Sequence, residues 1–154
     1  MVRFYLPVFL AAALCALSGC DTARGKDTPS SETAVRAVMD QFFTLSKVQD
    51  WDGVGALMSK DFEIYTDNAE SYGKDAYVKL LKADNLSLTA MSLRDERVAV
   101  SGDGSMAWMT YKGHFETTVR GKPSVAETAE TIVFRKEGGQ WYLCRAHASV
   151  REVH

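Results

Sequence analysis

Two hydrophobic rhythms divide this chain. Val35, Val38, Met39, Phe42 and Leu45 recur at three- and four-residue intervals, which predicts an amphipathic helix over residues 31–47. Thr28, Ser30 and Ser31 are its candidate caps, and Pro29 suits a first-turn position. Asp50 is placed to cap a second, shorter helix through Trp51, Val54, Leu57 and Met58, weakened by Gly53 and Gly55. Residues 62–65 read as a short strand, and Gly73 precedes a third helix with Ala76, Tyr77, Leu80 and Leu81 as its apolar stripe. From Leu86 onward the period falls to two. Leu86, Leu88 and Ala90, then Val98 and Val100, alternate with polar residues, and strands follow over 106–118, 126–136 and 141–150. Turns at 102–104, 121–123 and 137–140 link them into an antiparallel meander. Helices first and strands afterwards predict an α+β fold.

The first residues follow neither rhythm. An apolar run from Leu6 to Leu17 follows Arg3 and ends at Leu17-Ser18-Gly19-Cys20. Its twelve residues, broken by Pro7, fall short of the ~20 that span a bilayer. Charge, short apolar core, small residues and then cysteine is the layout of a bacterial lipoprotein signal peptide. An ordinary secretory signal, with Ala16 and Ser18 as a small-x-small cleavage site, is the rival reading. Leu17-Ser18-Gly19-Cys20 resembles a lipobox, which implies diacylglycerol on the Cys20 sulfur and cleavage before it. The organisation expected is then a signal over 1–19, a lipidated cysteine and polar tether over 20–30, and one domain over 31–154. Asp21 resembles a retention signal, pointing to the inner membrane, with the outer membrane as the alternative. The expected location is the bacterial cell envelope, lipid-anchored and facing the periplasm.

Charge and cysteine usage narrow the chemistry. Losing Arg3 with the signal moves the formal charge from −2 to −3, which provides no basic footprint for nucleic acid. With Cys15 removed and Cys20 lipidated, Cys144 has no partner for a disulfide and reads as a small buried hydrophobe. No His, Cys and carboxylate spacing marks a metal site, and no cofactor is implied.

Several short segments in order then resemble the nuclear transport factor 2-like superfamily, in its SnoaL-like and kinase-association-domain-like branches. They are Asp50-Trp51-Asp52, Lys60-Asp61-Phe62, Tyr72-Gly73-Lys74-Asp75-Ala76, the run from Gly102 to Trp108, and Gly138-Gly139-Gln140-Trp141 continuing to Ser149. The resemblance covers about residues 32–150 and implies a cone: a curved antiparallel sheet wrapped around the long first helix, open at one end. It also implies a homodimer packed through the outer sheet face.

Strand alternation nominates the lining of that cone. Trp141, Leu143, Arg145, His147 and Ser149 fall on one face of the last strand. Met109 and Tyr111 lie on the apolar face of the long strand, and Phe42, Tyr65 and Thr131 complete the expected pocket. His147 reads either as a general base or as a buried histidine satisfied by a hydroxyl. Arg145 reads as a carboxylate receptor or as half of a structural ion pair, and Tyr65 and Tyr111 as core residues with polar tips. Ketosteroid isomerases of the resembled fold use a tyrosine on the first helix and a carboxylate at the first strand. Aligning on Asp50-Trp51-Asp52-Gly53 puts Phe42 and about Thr66 at those places, with Asp67 one residue away. The oxyanion donor is therefore missing. The expectation is a non-catalytic domain that binds a small apolar or amphipathic ligand, or a partner. The alternatives are an isomerase, dehydratase or hydrolase with His147 as its base, and a dimeric scaffold of an envelope complex.

Overall fold

The computed structural model describes residues 30–67 and 70–153. Cys20, Asp21, Pro29 and the rest of the expected signal and tether before Ser30 lie outside the described residues. Among the described residues, three helices, α1 (Ser31–Lys47), α2 (Trp51–Ala56) and α3 (Lys74–Ala83), accompany six strands. The strands are β1 (Met58–Thr66), β2 (Ser71–Gly73), β3 (Ser87–Val100), β4 (Met106–Val119), β5 (Lys122–Glu137) and β6 (Gln140–Glu152). They form one curved sheet in the order β2-β1-β6-β5-β4-β3. No helix among the described residues is long and apolar enough to cross a membrane.

The expected caps explain where the helices begin. The Ser30 hydroxyl accepts from the Thr33 amide, and the Asp50 carboxylate accepts from Gly53 at 2.9 Å. The meander from β3 to β6 is antiparallel, as its turns require. The sheet as a whole is mixed, because β1 lies parallel to β6. No hairpin joins those two strands, and the three hairpins from β3 to β6 leave β6 running in the direction of β1. Three-residue β2 is too short to show a period, so alternation does not reveal it.

The sheet wraps α1, which buries Val35, Met39, Phe43 and Ser46 at spacings of four, four and three. Phe43 thus takes the core position, and Phe42 is half-buried beside it. The narrow end of the cone is solid: Val35, Met39, Val54, Met58, Met109, Phe134 and Leu143 are its fully buried side chains. Met109 and Trp141 belong to this packing and do not line an open pocket. Trp141 is buried, with the Lys136 ammonium 5.6 Å from its ring centroid.

One irregularity decides which residues of β6 face inward. Phe134 pairs with Leu143 and Val133 with Arg145, so Cys144 is an extra residue in β6. Leu143 and Cys144 are both buried, and the alternation resumes one residue out of phase. Ala146 and Ala148 then point into the cone, while Arg145, His147 and Ser149 turn to its outer face.

Candidate functional site

The wide end of the cone stays hollow because α1 and small side chains leave it so. A cavity of about 320 Å³ opens there, at the small end of ligand-sized pockets (~300–1,000 Å³). Alternation on β4 sends Tyr111 and Phe115 inward, on β5 Thr128, Glu130 and Ile132, and on β6 Ala146, Ala148 and Val150. Phe42, Phe43 and Ser46 of α1, Phe62, Ile64 and Thr66 of β1 and Tyr77 of α3 close the other sides. The rings contact one another: Phe43 lies 6.3 Å from Tyr111 and 6.1 Å from Phe115, and Phe62 lies 6.0 Å from Tyr77, centroid to centroid. Gly113 makes this arrangement possible. A Cβ there would sit 2.2 Å from the Phe115 ring and 2.8 Å from the Thr128 hydroxyl, so the ring can fold over the strand only at glycine.

Within this apolar lining stands one carboxylate, Glu130. Its two oxygens are held separately, Oε2 accepting from the Tyr111 hydroxyl at 2.7 Å and Oε1 from Thr128 at 2.8 Å. Burial pushes the Glu130 pKa above its ordinary 4.5, and the two hydrogen bonds oppose that rise without cancelling it. Burial, then the neighbouring Glu130 charge, pushes the Tyr111 and Tyr77 phenols up, so both stay neutral. Among the described residues no lysine, arginine or histidine lines the cavity. No group of three or more His, Cys, Asp or Glu side chains among them is placed to hold a metal ion.

The residues nominated from sequence divide between the two faces of the sheet. Phe42 and Tyr111 line the cavity. Tyr65, Thr131, Arg145, His147 and Ser149 do not; all five lie on the outer face, and the bulge at Cys144 is the reason for the last three. Tyr65 is 43% exposed and donates to Glu63 at 2.8 Å. His147 is exposed beside Tyr65, so it is neither a buried histidine nor a base for a reaction inside the cone. Arg145 forms no carboxylate receptor. Its guanidinium donates to the carbonyls of Asp61 and Cys144, holding together the irregular stretches of β1 and β6. Asp67 does not rescue an isomerase base either: its carboxylate accepts from the Val150 amide at 2.6 Å, which holds its pKa low.

Glu130, Thr128, Phe43, Phe62, Tyr77 and Phe115 are the site residues that sequence reasoning leaves out. Glu130 shares its alternating set with Ile132 and Phe134, the bulkier apolar members of β5. That company was a legible signal for an inward-facing acid.

A family model for the SnoaL-like domain matches residues 35–151. No curated protein matches the sequence. Among solved structures, an NTF2-like protein from Rhodospirillum rubrum, described as of unknown function in nutrient uptake, is 18% identical with a TM-score of 0.69, covering 76% of this chain and 98% of that one. An NTF2-like protein from Cytophaga hutchinsonii is 11% identical with a TM-score of 0.68, covering 76% and 95%. A ketosteroid isomerase-like protein from Erwinia carotovora atroseptica is 16% identical with a TM-score of 0.66, covering 82% and 99%. At these identities the likeness is one of fold.

The raised pKa of Glu130 makes a signed prediction. Below pH 4.5 the carboxyl is protonated in both folded and unfolded chains and costs nothing. As pH rises through the interval up to the folded value, only the unfolded chain ionises, and stability falls by about 1.4 kcal/mol per pH unit. Glu130→Gln, which has no charge to lose, should therefore be more stable than the parent by on the order of 1 kcal/mol at pH 7. The gap should close by pH 4. Urea unfolding of both proteins across pH 4–8 measures it, and a gap that is constant with pH would contradict the assignment.

Proposed function

The chain belongs to the SnoaL-like domain family, and on that footing we propose that it is a lipid-anchored envelope domain that holds a small apolar or amphipathic molecule in its cone without turning it over. The observation that carries this reading is the aromatic cavity at the open end with a single carboxylate inside it. A hollow of that kind has no packing purpose: filling it with larger side chains would bury more apolar surface and stabilise the fold. Two features favour binding over turnover. Phe42 offers no hydroxyl where a ketosteroid isomerase-type donor would stand, and the Asp67 carboxylate is engaged by the β6 backbone. The His147-based alternative finds no support in the cavity, since that side chain is exposed on the other face of the sheet.

The anchor is the second part of the proposal, supported by Leu17-Ser18-Gly19-Cys20 and, for the inner membrane, by Asp21. Two acyl chains hold a protein on a membrane far longer than one. A homodimer through the outer sheet face is the third part. Trp108, 45% exposed on β4, favours it, because a large half-exposed ring on the outer face of a sheet is a common anchor for a second subunit.

Three measurements test these parts. Native mass spectrometry of the full chain purified from its own envelope should reveal a bound small molecule, and Ala148→Phe, which fills the cavity, should abolish it. A bare parent protein whose stability rises in the filled variant would defeat the ligand reading. Cys20→Ala should release the protein from membranes on fractionation, with the parent in the inner-membrane fraction; unchanged retention would refute lipidation. Trp108→Glu should convert a dimer to a monomer by light scattering, and a parent that is already monomeric would end the dimer proposal.

A further inference from the structure

We propose that the cavity selects a small organic cation, an ammonium with apolar substituents, which enters among the aromatic rings and pairs with Glu130. This deepens the reading of the cone as a ligand site and rests on it. The argument begins with charge balance. Glu130 is enclosed in the wall of the cone, and the groups that hold it, the hydroxyls of Tyr111 and Thr128, are neutral donors. No basic side chain among the described residues lines the cavity. Elsewhere the chain pairs its acids with cations, as in Arg94 with Glu127 at 2.9 Å and Lys112 with Asp95 at 2.8 Å. A buried carboxylate is stable as an ion only when a positive group joins it, and none among the described residues does. Each Glu130 oxygen accepts a single hydrogen bond within the protein, which leaves lone pairs for donors on a ligand.

The walls favour the same chemistry. Phe43, Phe62, Tyr77 and Phe115 line the space around Glu130, and aromatic faces attract a cation within about 6 Å of the ring centroid. Their preference for cations grows where a ligand displaces water from between them. Tyr77, in the same lining, adds a phenol oxygen that can accept from an N–H. An anionic ligand would meet the Glu130 charge in a low-dielectric site, and a neutral one would leave that charge unbalanced.

A charge series on one hydrocarbon tests the assignment. Phenethylammonium, 2-phenylethanol and phenylacetate share a phenyl ring and differ in the charge of the terminal group. In calorimetric titrations of the full chain, phenethylammonium should bind roughly tenfold or more tightly than 2-phenylethanol, and phenylacetate should not bind. Glu130→Gln should bring the cation and the alcohol to within about twofold of each other. If the alcohol binds as well as or better than the cation to the parent, and Ala148→Phe blocks it, Glu130 acts as a neutral acid: the cation inference fails while the ligand site stands. If none of the three binds, both fail. The series on the parent protein decides the matter even if the Glu130 variant does not fold.

Discussion

The seating of α1 in one end of the curved sheet is the constraint on which the rest of this structure depends. A sheet of six strands this curved has a concave face that cannot be left to water, and the Val35, Met39, Phe43 and Ser46 face of α1 covers only part of it. Where the helix packs on Met109, Phe134 and Leu143 the cone is solid. Beyond Phe43 the helix ends at Lys47, while β4, β5 and β6 continue. The hollow is therefore a consequence of unequal lengths, and its walls come from strand residues that the same alternation directs inward.

That dependence explains how much could be read from the chain alone. Helix α1 and its Ser30 cap, the Asp50 cap of α2, the third helix and the long strands β4, β5 and β6 follow from local periodicity and turn chemistry, and so do the two ends of β3. The orientation of β6 does not. Counting by twos from Trp141 puts Arg145 and His147 inside, and one extra residue at Cys144 reverses them. Nothing in the local pattern announces that residue, because Leu143, Cys144 and Ala146 are all compatible with burial. The bulge is a tertiary property, held by Arg145 reaching the carbonyls of Asp61 and Cys144 across two irregular strands. A residue that looked like a ligand receptor is instead the clamp that places the true lining.

The same shift accounts for the small side chains at the mouth. With Ala146 and Ala148 facing inward, β6 contributes a low wall beside Ile132 and Glu130. Gly113 does the same on β4, where its missing Cβ admits the Phe115 ring and the Thr128 hydroxyl that holds Glu130. Three small residues on two strands thus set the size of the cavity and the orientation of Glu130. Larger residues at these places would be compatible with strand structure, and they would remove the site.

Glu130 is the point at which stability and function separate. A leucine of similar length would bury apolar surface and carry no desolvation cost, whereas burial raises the pKa of the carboxyl, and burial followed by its charge raises those of Tyr77 and Tyr111. Its hydrogen bonds lessen that cost without removing it. A residue that weakens the fold where packing alone would choose otherwise is the local inconsistency expected of a functional position. The residue's company makes the argument specific. A negative charge that no cation among the described residues balances, set among aromatic rings, lacks one component, and that component is positive, partly apolar and small enough for a space of about 320 Å³.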